Sequence, residues 1–443
     1  MRCIQLKRII IVNIWIILVF SVFSVGLPQY IYAHQQSSPF KASSVSALLM
    51  NANTGQILYS QNPHLRIQPA SLAKLMTLFL IFDALNQGTI QLNTEVLISK
   101  KAGQAGGSKM YLREGNQVPL VELIKGIAVV SGNDACLAVA EWLYGDERAF
   151  IDKMNQQLKR LKIQNSKFQT VDGWPAPDQY TTAHDMAMLA QAYIREHPEA
   201  LQYHRLKEFS HANHTLHNRN GLILQDPSVD GLKTGHVEEA GYHLLATAKR
   251  EKQRFIAVVM GAEKIAIREK EALQLLNFGF SNFVTVRLFH KGQILSYLPV
   301  TKGVKDRVGL APQVDGVLTI PVSQKENVSF KIKSPDQQEA PIQLDQELGD
   351  AIISDQKNIL KTVPLFATEQ IQRAGFIKIS LQTLEFIIVK HKASLLVIII
   401  LICIVGLQTW HIKRLRRQLK DQYGDENIVK ERLNKILNPT ETD

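Results

Sequence analysis

The chain has 443 residues, too many for one small domain, and its 45% hydrophobic content with ordinary numbers of glycine and proline excludes a disordered protein. Its formal net charge of +11 would suit nucleic-acid binding. However, the basic residues cluster at both ends beside apolar runs, as membrane-topology signals do, so we expect no nucleic-acid partner.

The N-terminal segment has the pattern of a secretory signal. Three basic residues precede an apolar run over residues 9–25, and Ile31-Tyr32-Ala33 follows as a small-residue cleavage site. We predict a signal peptide over residues 1–33 and an exported mature chain. An uncleaved N-terminal anchor is the alternative, since the apolar run is long and Ile31 suits the cleavage site poorly.

The three cysteines exclude a disulfide within the exported body. Cys3 lies in the leader and Cys403 in a second apolar run, so Cys136 is left alone. Cys136 falls in an apolar helical pattern, and we predict that it packs as a small hydrophobic residue rather than acting as a nucleophile.

Helical and strand patterns alternate through the exported body. Strand patterns over residues 45–50 and 57–60 predict a hairpin, and a helix is expected from Pro69 to Asn86. The segment Gly103–Gly107 lacks the Gly-Lys-Ser/Thr ending of a phosphate-binding loop and is predicted to be a flexible loop. Further helices are predicted over residues 120–130, 134–144, 147–161, 183–194 and 267–278, and further strands over residues 242–249 and 254–260.

From about Val284 the pattern changes. Short alternating apolar segments are separated by Gly, Pro, Asp and Asn, which is typical of a small β-rich module. We therefore predict an exported first domain over residues 34–283, a β-rich stem domain over residues 284–366, and a juxtamembrane segment over residues 367–392.

A second apolar run, from Ala393 to Trp410, contains no charged residue and is long enough to cross a bilayer. Basic residues follow it directly, which places the C-terminal tail in the cytoplasm. We predict a transmembrane helix over residues 393–411 and a basic cytoplasmic tail over residues 412–443. A buried core helix is the alternative, which the basic flank disfavours.

The first chemical motif is Ser71-Leu72-Ala73-Lys74, which places a serine and a lysine one helical turn apart. Burial and a second nearby cation lower the pKa of a lysine, so Lys74 can accept the proton of Ser71. The helix start adds a backbone N–H and a favourable field near the nucleophile. An isolated Ser-x-x-Lys is usually a solvated serine with a surface lysine, and the two further motifs argue against that reading here.

The second motif, Ser131-Gly132-Asn133, interrupts two apolar helical runs and exposes polar side chains there. We expect Ser131 to relay a proton to a leaving amine and Asn133 to hold a substrate amide. An ordinary helix stop and cap is the alternative.

The third motif, Lys233-Thr234-Gly235, precedes a strand pattern. Lys233 and Thr234 can bind a substrate carboxylate, and Gly235 lets a ligand approach the backbone closely. The backbone N–H groups of His236 and Ser71 would together form an oxyanion hole. An ordinary turn is the alternative. The three ordered motifs together predict a serine acyltransferase that needs no histidine base.

Two histidine patterns suggest other chemistry. His211, His214 and His217 recur every third residue, but no Cys, Asp or Glu joins them at ligand spacing, so we expect no metal. His184-Asp185 contains two members of a Ser-His-Asp triad, but Lys74 makes a histidine base unnecessary. We predict that this pair caps the helix that it begins. No cofactor is expected.

These residues resemble a known family, the low-molecular-mass penicillin-binding proteins, specifically the D-alanyl-D-alanine carboxypeptidases of the penicillin-binding protein 5 and 6 type. The resemblance is carried by Pro69–Thr77, residues 131–136, Asp172-Gly173 and Val229–His236. It is strong over residues 44–281 and weaker over residues 284–366. It implies an α+β fold, in which helices sandwich an antiparallel sheet and a helical lobe carries the Ser131 loop, followed by a small all-β domain. It also implies that Arg268 helps to bind the terminal carboxylate of the substrate.

The resemblance further implies a function. Ser71 would attack the carbonyl between the two terminal D-alanines of a peptidoglycan stem peptide, and β-lactams would acylate the same serine. The enzyme would be anchored in the inner membrane of the bacterial cell envelope, with its catalytic domain on the periplasmic face. A D,D-endopeptidase or β-lactamase on the same site, or a non-catalytic wall-binding scaffold, are the alternatives. Members of this family commonly end in an amphipathic helix on the membrane surface, whereas this chain has a full apolar span and a basic tail.

Overall fold

The computed structural model describes residues 41–377, 379–380, 389–390 and 392–437. The predicted signal peptide and part of the predicted juxtamembrane segment lie outside these ranges. The chain divides into two compact units. The first contains the described residues up to His290 together with residues 315–331 and 352–362, and the second contains residues 291–314, 332–351 and 363 onward. The domain boundaries at residues 283 and 366 stay predictions.

The strands are numbered in chain order. They are β1 (Ser46–Asn51), β2 (Ile57–Gln61), β3 (Glu95–Leu97), β4 (Gln117–Pro119), β5 (Glu208–His211), β6 (His214–His217), β7 (Val229–Val237), β8 (Gly241–Arg250), β9 (Gln253–Ala262), β10 (Phe283–Phe289), β11 (Ser296–Thr301), β12 (Arg307–Pro312), β13 (Gly316–Pro321), β14 (Ser329–Lys333), β15 (Gln338–Glu339), β16 (Glu347–Ser354) and β17 (Ile359–Ala367).

The helices are numbered in the same way. They are α1 (Lys74–Asn86), α2 (Lys100–Gly103), α3 (Leu120–Lys125), α4 (Asn133–Tyr144), α5 (Glu147–Arg160), α6 (Ala183–Glu196), α7 (Leu201–His204), α8 (Leu222–Gln225), α9 (Ile265–Asn282), α10 (Lys392–Tyr423) and α11 (Glu426–Leu437). Short 3-10 turns cover Ala70–Ala73, Pro198–Ala200 and Val322–Asn327, and a π-helical turn covers Gly126–Val130.

A five-stranded antiparallel sheet in the order β2-β1-β9-β8-β7 forms the centre of the first unit. Its middle strands β8 and β9 are buried on both faces, because Leu245 and Val258 belong to one apolar core while Leu244 and Val259 belong to the other. Helix α9 contributes to the second core, and α1, α4 and α6 contribute to the first. The predicted sheet between helices is therefore confirmed.

One predicted helix is interrupted. Residues 120–130 form α3 and then widen into the π-helical turn Gly126–Val130, after which Ser131 takes a left-handed backbone with φ of 64°. Met110 packs against Gly126 so closely that a Cβ there would lie 2.2 Å from its Sδ. The wider turn ends the helix where the second motif begins, and such turns are common at functional sites.

The prediction that His184-Asp185 caps a helix is wrong. Helix α6 begins at Ala183, and Thr182 is its cap, because the Thr182 side chain accepts a hydrogen bond from the Asp185 backbone N–H. The Asp185 carboxylate instead accepts hydrogen bonds from the backbone N–H of Asn165 and the hydroxyl of Ser166.

The C-terminal region is all-β up to Ala367, as predicted. Strand β10 pairs with β13, and six further strands form a sheet in the order β14-β16-β17-β12-β11-β15.

Farther along, α10 contains a stretch from Leu396 that is long and apolar enough, by length and composition, to cross a membrane. Within the C-terminal hairpin, α11 buries Val429 against the polar end of α10.

Candidate active site

The chain enters the first motif through a constrained turn. Ala70 is buried with a left-handed φ of 47°, and Ser71 follows it in the 3-10 turn that leads into α1. Gly173 lies directly on the Ala70 carbonyl, where a Cβ would approach the oxygen to 1.8 Å. Only glycine fits here, and its own φ of 82° is also one that glycine favours.

Lys74 is fully buried at the start of α1. Its Nζ lies 2.8 Å from Ser71 Oγ and 2.5 Å from the backbone carbonyl of Asp172. Burial lowers the pKa of Lys74, while the carboxylates of Asp172 and Asp134 act in the opposite direction. The lowered pKa increases the share of neutral amine, and a neutral amine can accept the Ser71 proton while it donates to Asp172.

Cys136 lies in α4 and is fully buried. Burial raises the pKa of its thiol to about 12, so the thiol stays protonated and is not a nucleophile. The prediction that it packs as a small hydrophobic residue is confirmed.

The second motif lies beside a loop that Asp134 anchors. The buried Asp134 carboxylate accepts hydrogen bonds from the backbone N–H groups of Met110 and Leu112. The Asn133 backbone N–H donates to the Ser108 carbonyl, and its side-chain amide donates to the Gly106 carbonyl at 2.8 Å. The loop predicted to be flexible is thus hydrogen-bonded to the start of α4, and the Asn133 amide is engaged within the protein.

Ser131 places a buried hydroxyl group at the start of the second motif. It is 4% exposed, and among the described residues its Oγ has no hydrogen-bond partner. A buried hydroxyl without a partner is costly unless a ligand or water satisfies it, which suits a group that meets substrate.

The third motif lies on β7, against the turn that holds Ser71. A Cβ on Gly235 would lie 3.2 Å from Ala70 Cβ and 3.3 Å from the Pro69 carbonyl oxygen, so the strand and the turn touch. Lys233 is almost fully buried and donates to the Thr234 carbonyl at 3.1 Å. Burial lowers the pKa of Lys233 well below its ordinary value, and the positive charges of Lys74, Arg268 and Arg219 act in the same direction.

Arg268 lies beside this motif, with hydrogen bonds to backbone carbonyls and an ion pair of 3.9 Å with Glu269. It is 5% exposed and donates to the carbonyls of His243 and Arg219, and among the described residues its Nε has no partner. Its guanidinium lies 5.8 Å from the ring centre of Tyr242, which stacks on His236 at 4.0 Å. Arg268 and His236 therefore both lie close to the Tyr242 ring, and the carboxylate-binding role of Arg268 stays a prediction.

The three spaced histidines do not form a metal-binding group among the described residues. His211 and His214 face each other across the β5–β6 hairpin, while His217 pairs with Glu208 at 2.9 Å. Within the ranges that the structure describes, no three His, Cys, Asp or Glu side chains gather as ligands.

Sequence reasoning missed several residues of the site. The backbone carbonyl of Asp172, the carboxylate of Asp134 and the guanidinium of Arg219 were not assigned roles. Trp174 is also near the site, because its exposed ring lies against Gly106 and Gly107. The adjacency of Asp134 to Asn133 and of Asp172 to Gly173 was the available signal for the first two.

Comparison with known proteins gives matches over most of the chain. A family model described as D-alanyl-D-alanine carboxypeptidase matches residues 33–264, and one described as penicillin-binding protein 5, C-terminal domain, matches residues 283–373. The chain is 35% identical to D-alanyl-D-alanine carboxypeptidase DacF of Bacillus subtilis, over 77% of this chain and 90% of that protein. It is 36% identical to DacA of Escherichia coli K12, over 75% of this chain and 84% of that protein. The solved structure of penicillin binding protein 5 from Haemophilus influenzae aligns with a TM-score of 0.74 at 34% identity, covering 76% of this chain and 100% of that one.

Proposed function

The chain belongs to the D-alanyl-D-alanine carboxypeptidase family, and we propose that it removes the terminal D-alanine from peptidoglycan stem peptides through an acyl-enzyme on Ser71. One observation carries this proposal. The fully buried Lys74 amine, whose pKa is lowered by burial, lies 2.8 Å from the Ser71 hydroxyl. A base within hydrogen-bond reach of the proton that it abstracts is the geometry of an activated nucleophile.

The acylation step uses the first two motifs. Ser71 Oγ bonds to the carbonyl carbon of the penultimate D-alanine as Lys74 accepts its proton, and the bond from that carbon to the terminal D-alanine nitrogen then breaks. Ser131, whose buried hydroxyl has no partner among the described residues, gives its proton to the departing amine and receives in its place the proton that Lys74 took from Ser71. Water then attacks the ester, releases the shortened peptide and restores Ser71.

The third motif binds and stabilises the charged groups of the substrate. The terminal carboxylate is held by Lys233 and Thr234, with Arg268 nearby. An approaching carboxylate favours the charged form of Lys233 and so acts against the burial that lowers the pKa of this lysine in the free enzyme. The backbone N–H groups of Ser71 and His236 hold the developing oxyanion. Asn133 holds the substrate amide once it is released from the Gly106 carbonyl.

β-Lactams react at the same serine in this proposal. They present an acyl group followed by a carboxylate, which matches the serine, the oxyanion hole and Lys233 in order. A penicillin should therefore form a stable ester with Ser71.

The enzyme acts on the cell wall from a membrane anchor. The apolar stretch of α10 supports a C-terminal anchor by length and composition, and the basic residues after Trp410 support a cytoplasmic tail. We propose on this basis that the catalytic domain lies on the periplasmic face of the inner membrane.

The test uses the full chain, solubilised in detergent, and a peptide ending in D-Ala-D-Ala. We expect the wild-type protein to release D-alanine, and Ser71→Ala to release none while keeping its unfolding temperature. The absence of D-alanine release with a fluorescent penicillin still bound at Ser71 would move the assignment to an endopeptidase. Rapid turnover of penicillin would move it to a β-lactamase, and the absence of both reactions would leave a wall-binding scaffold.

A further inference from the structure

His243 connects the nucleophile turn to the central sheet. It lies on β8, opposite Gly235 of the third motif, and is fully buried. Its Nε2 lies 3.0 Å from the carbonyl oxygen of Gln68, three residues before Ser71. No sequence motif drew attention to this histidine.

A bulge in the neighbouring strand creates the second bond of this ring. Between the pairs Tyr242–Ala262 and Leu244–Val259, strand β9 has two residues opposite the single His243. Gly261, one of the two, has a left-handed φ of 75°, and its backbone N–H donates to His243 Nδ1 at 3.0 Å. The bulge therefore turns a backbone donor away from the ladder and onto the imidazole.

These two hydrogen bonds determine the tautomer of the His243 imidazole. Because Nδ1 accepts from Gly261, the proton of the neutral ring must be on Nε2, and Nε2 then donates to Gln68. Burial lowers the pKa of His243 to about 4, and the charged or titratable groups that face it, Arg268 from α9 and His236 from β7, act in the same direction. The ring is neutral at neutral pH, as the two bonds require.

Backbone hydrogen bonds between Ile67 and Thr181 hold the chain just before the nucleophile turn, and the Leu72 N–H donates to the Pro69 carbonyl within it. Pro69 has no N–H, Ala70 holds a left-handed backbone, and the Ala70 carbonyl is pressed against Gly173. The Gln68 carbonyl is the point at which this strained turn is tied to the strand beside Gly235. Arg268 ties the same residue to α9, through the His243 carbonyl.

We infer that His243 is a positioning residue, which holds the Ser71 turn in place against β7 through the Gln68 carbonyl. This rests on the proposed function of Ser71. Without the bond from Nε2, the turn can shift relative to β7, and the N–H groups of Ser71 and His236 no longer converge on one oxygen. A displacement of about 1 Å in such a site costs on the order of 100-fold in rate.

The test compares two substitutions of His243, each of which keeps one of its two hydrogen bonds and removes the other. His243→Asn places an amide oxygen near the position of Nδ1, so it can accept from Gly261 but does not reach Gln68. His243→Gln carries its amide N–H out to the level of Nε2 and can still donate to Gln68. The matched control is His197→Asn, at a buried histidine whose ring nitrogens lie 3.0 Å from Asn86 Nδ2 and 2.9 Å from Asp83 Oδ1, neither of which belongs to the three motifs. Penicillin acylation rate, D-alanine release and unfolding temperature are measured for each full-length variant.

We expect His243→Asn to lose between about 10- and 100-fold in acylation rate, with the loss in kcat rather than KM, and His243→Gln to recover most of it. His197→Asn should lower the unfolding temperature without slowing acylation. Equal acylation rates in wild type and His243→Asn would overturn the inference, as would a loss in His243→Gln as large as that in His243→Asn.

A measurement on the wild-type protein keeps the inference testable where His243→Asn does not fold. Nitrogen NMR of histidine-labelled protein should show a neutral His243 ring with its proton on Nε2 between pH 6 and 8, and a charged ring or a proton on Nδ1 would contradict the inference. The proposed function is judged separately, by D-alanine release from the wild-type protein, because the positioning role is read from the ratio of penicillin acylation rates between variants.

Discussion

Gly173→Ala is expected to disable the nucleophile turn by steric overlap. The new Cβ would be built 1.8 Å from the Ala70 carbonyl oxygen, and that oxygen belongs to backbone, so the turn itself must move. Gly88→Ala is the matched control, because Gly88 has a φ of 72°, close to the 82° of Gly173, but a Cβ there meets nothing within 4 Å. Both substitutions therefore cost the energy of an alanine in a left-handed conformation, but only Gly173→Ala also creates a steric overlap.

The magnitudes follow from these geometries. A left-handed alanine costs about 1–2 kcal/mol, which is all that Gly88→Ala should lose from the free energy of unfolding. Gly173→Ala adds the displacement of a buried turn, which costs about 1–3 kcal/mol as overpacking does. The movement also displaces Ser71 from Lys74 and β7, so the penicillin acylation rate should fall by about 100-fold.

The assay is the acylation rate with a fluorescent penicillin, together with thermal unfolding of the same full-length preparations. Gly88→Ala should acylate at the wild-type rate with a modestly lower unfolding temperature. Equal acylation rates in the two variants would refute the argument that the Ala70 carbonyl needs a glycine opposite it.

Three further predictions concern titration and access. Because Lys74 accepts a proton only as the neutral amine and burial lowers its pKa, the acylation rate should rise with pH and level off below pH 10.5; a rate that still rises beyond pH 10.5 would contradict this. Cys136, whose thiol pKa is about 12, should resist a thiol reagent at pH 8 until the protein unfolds, as mass spectrometry of the labelled peptides would show; labelling of the folded protein would contradict its burial. Burial lowers the pKa of His204 from 6.5 to about 4, so the unfolded chain binds the extra proton first, and stability should fall as pH drops from 6.5 towards 4, by about 3 kcal/mol from this residue alone. In denaturant titrations, His204→Asn should reduce this pH dependence, and an unchanged slope would mean that other groups cause it.

The sequence predicted the parts of the site that side chains supply. Spacing alone placed Lys74 one turn from Ser71, and the apolar runs around residues 120–144 predicted a break at Ser131. The long apolar runs at β8 and β9 predicted strands correctly. They are apolar throughout because both faces of these strands are buried.

The parts that the sequence did not predict depend on backbone groups and on distant neighbours. Lys74 is oriented by the carbonyl of Asp172, and a carbonyl acceptor is present at every residue, so no residue type marks it. The π-helical turn before Ser131 begins at Gly126, against which Met110 packs, and this contact between separate segments is not visible in the residue pattern. Thr182, rather than Asp185, caps helix α6, because the side chain of Asp185 accepts hydrogen bonds from residues 165 and 166. These two residues are near Asp185 only in the folded chain.

The order of strands in the central sheet has a consequence for when the enzyme becomes active. Strand β1, near the start of the described residues, pairs with β9, and the 162 positions from Ser71 to Lys233 must be in place before the two motifs meet. Pairing over such sequence separations is slow to form, because the entropy of closing the loop is lost before the contacts are gained. A chain that crosses a membrane N-terminus first would carry Ser71 across well before β7, which holds Lys233. We therefore expect acylating activity to arise only after β7 to β9 have emerged and closed the sheet, so that an incompletely exported chain neither trims the wall nor reacts with a β-lactam.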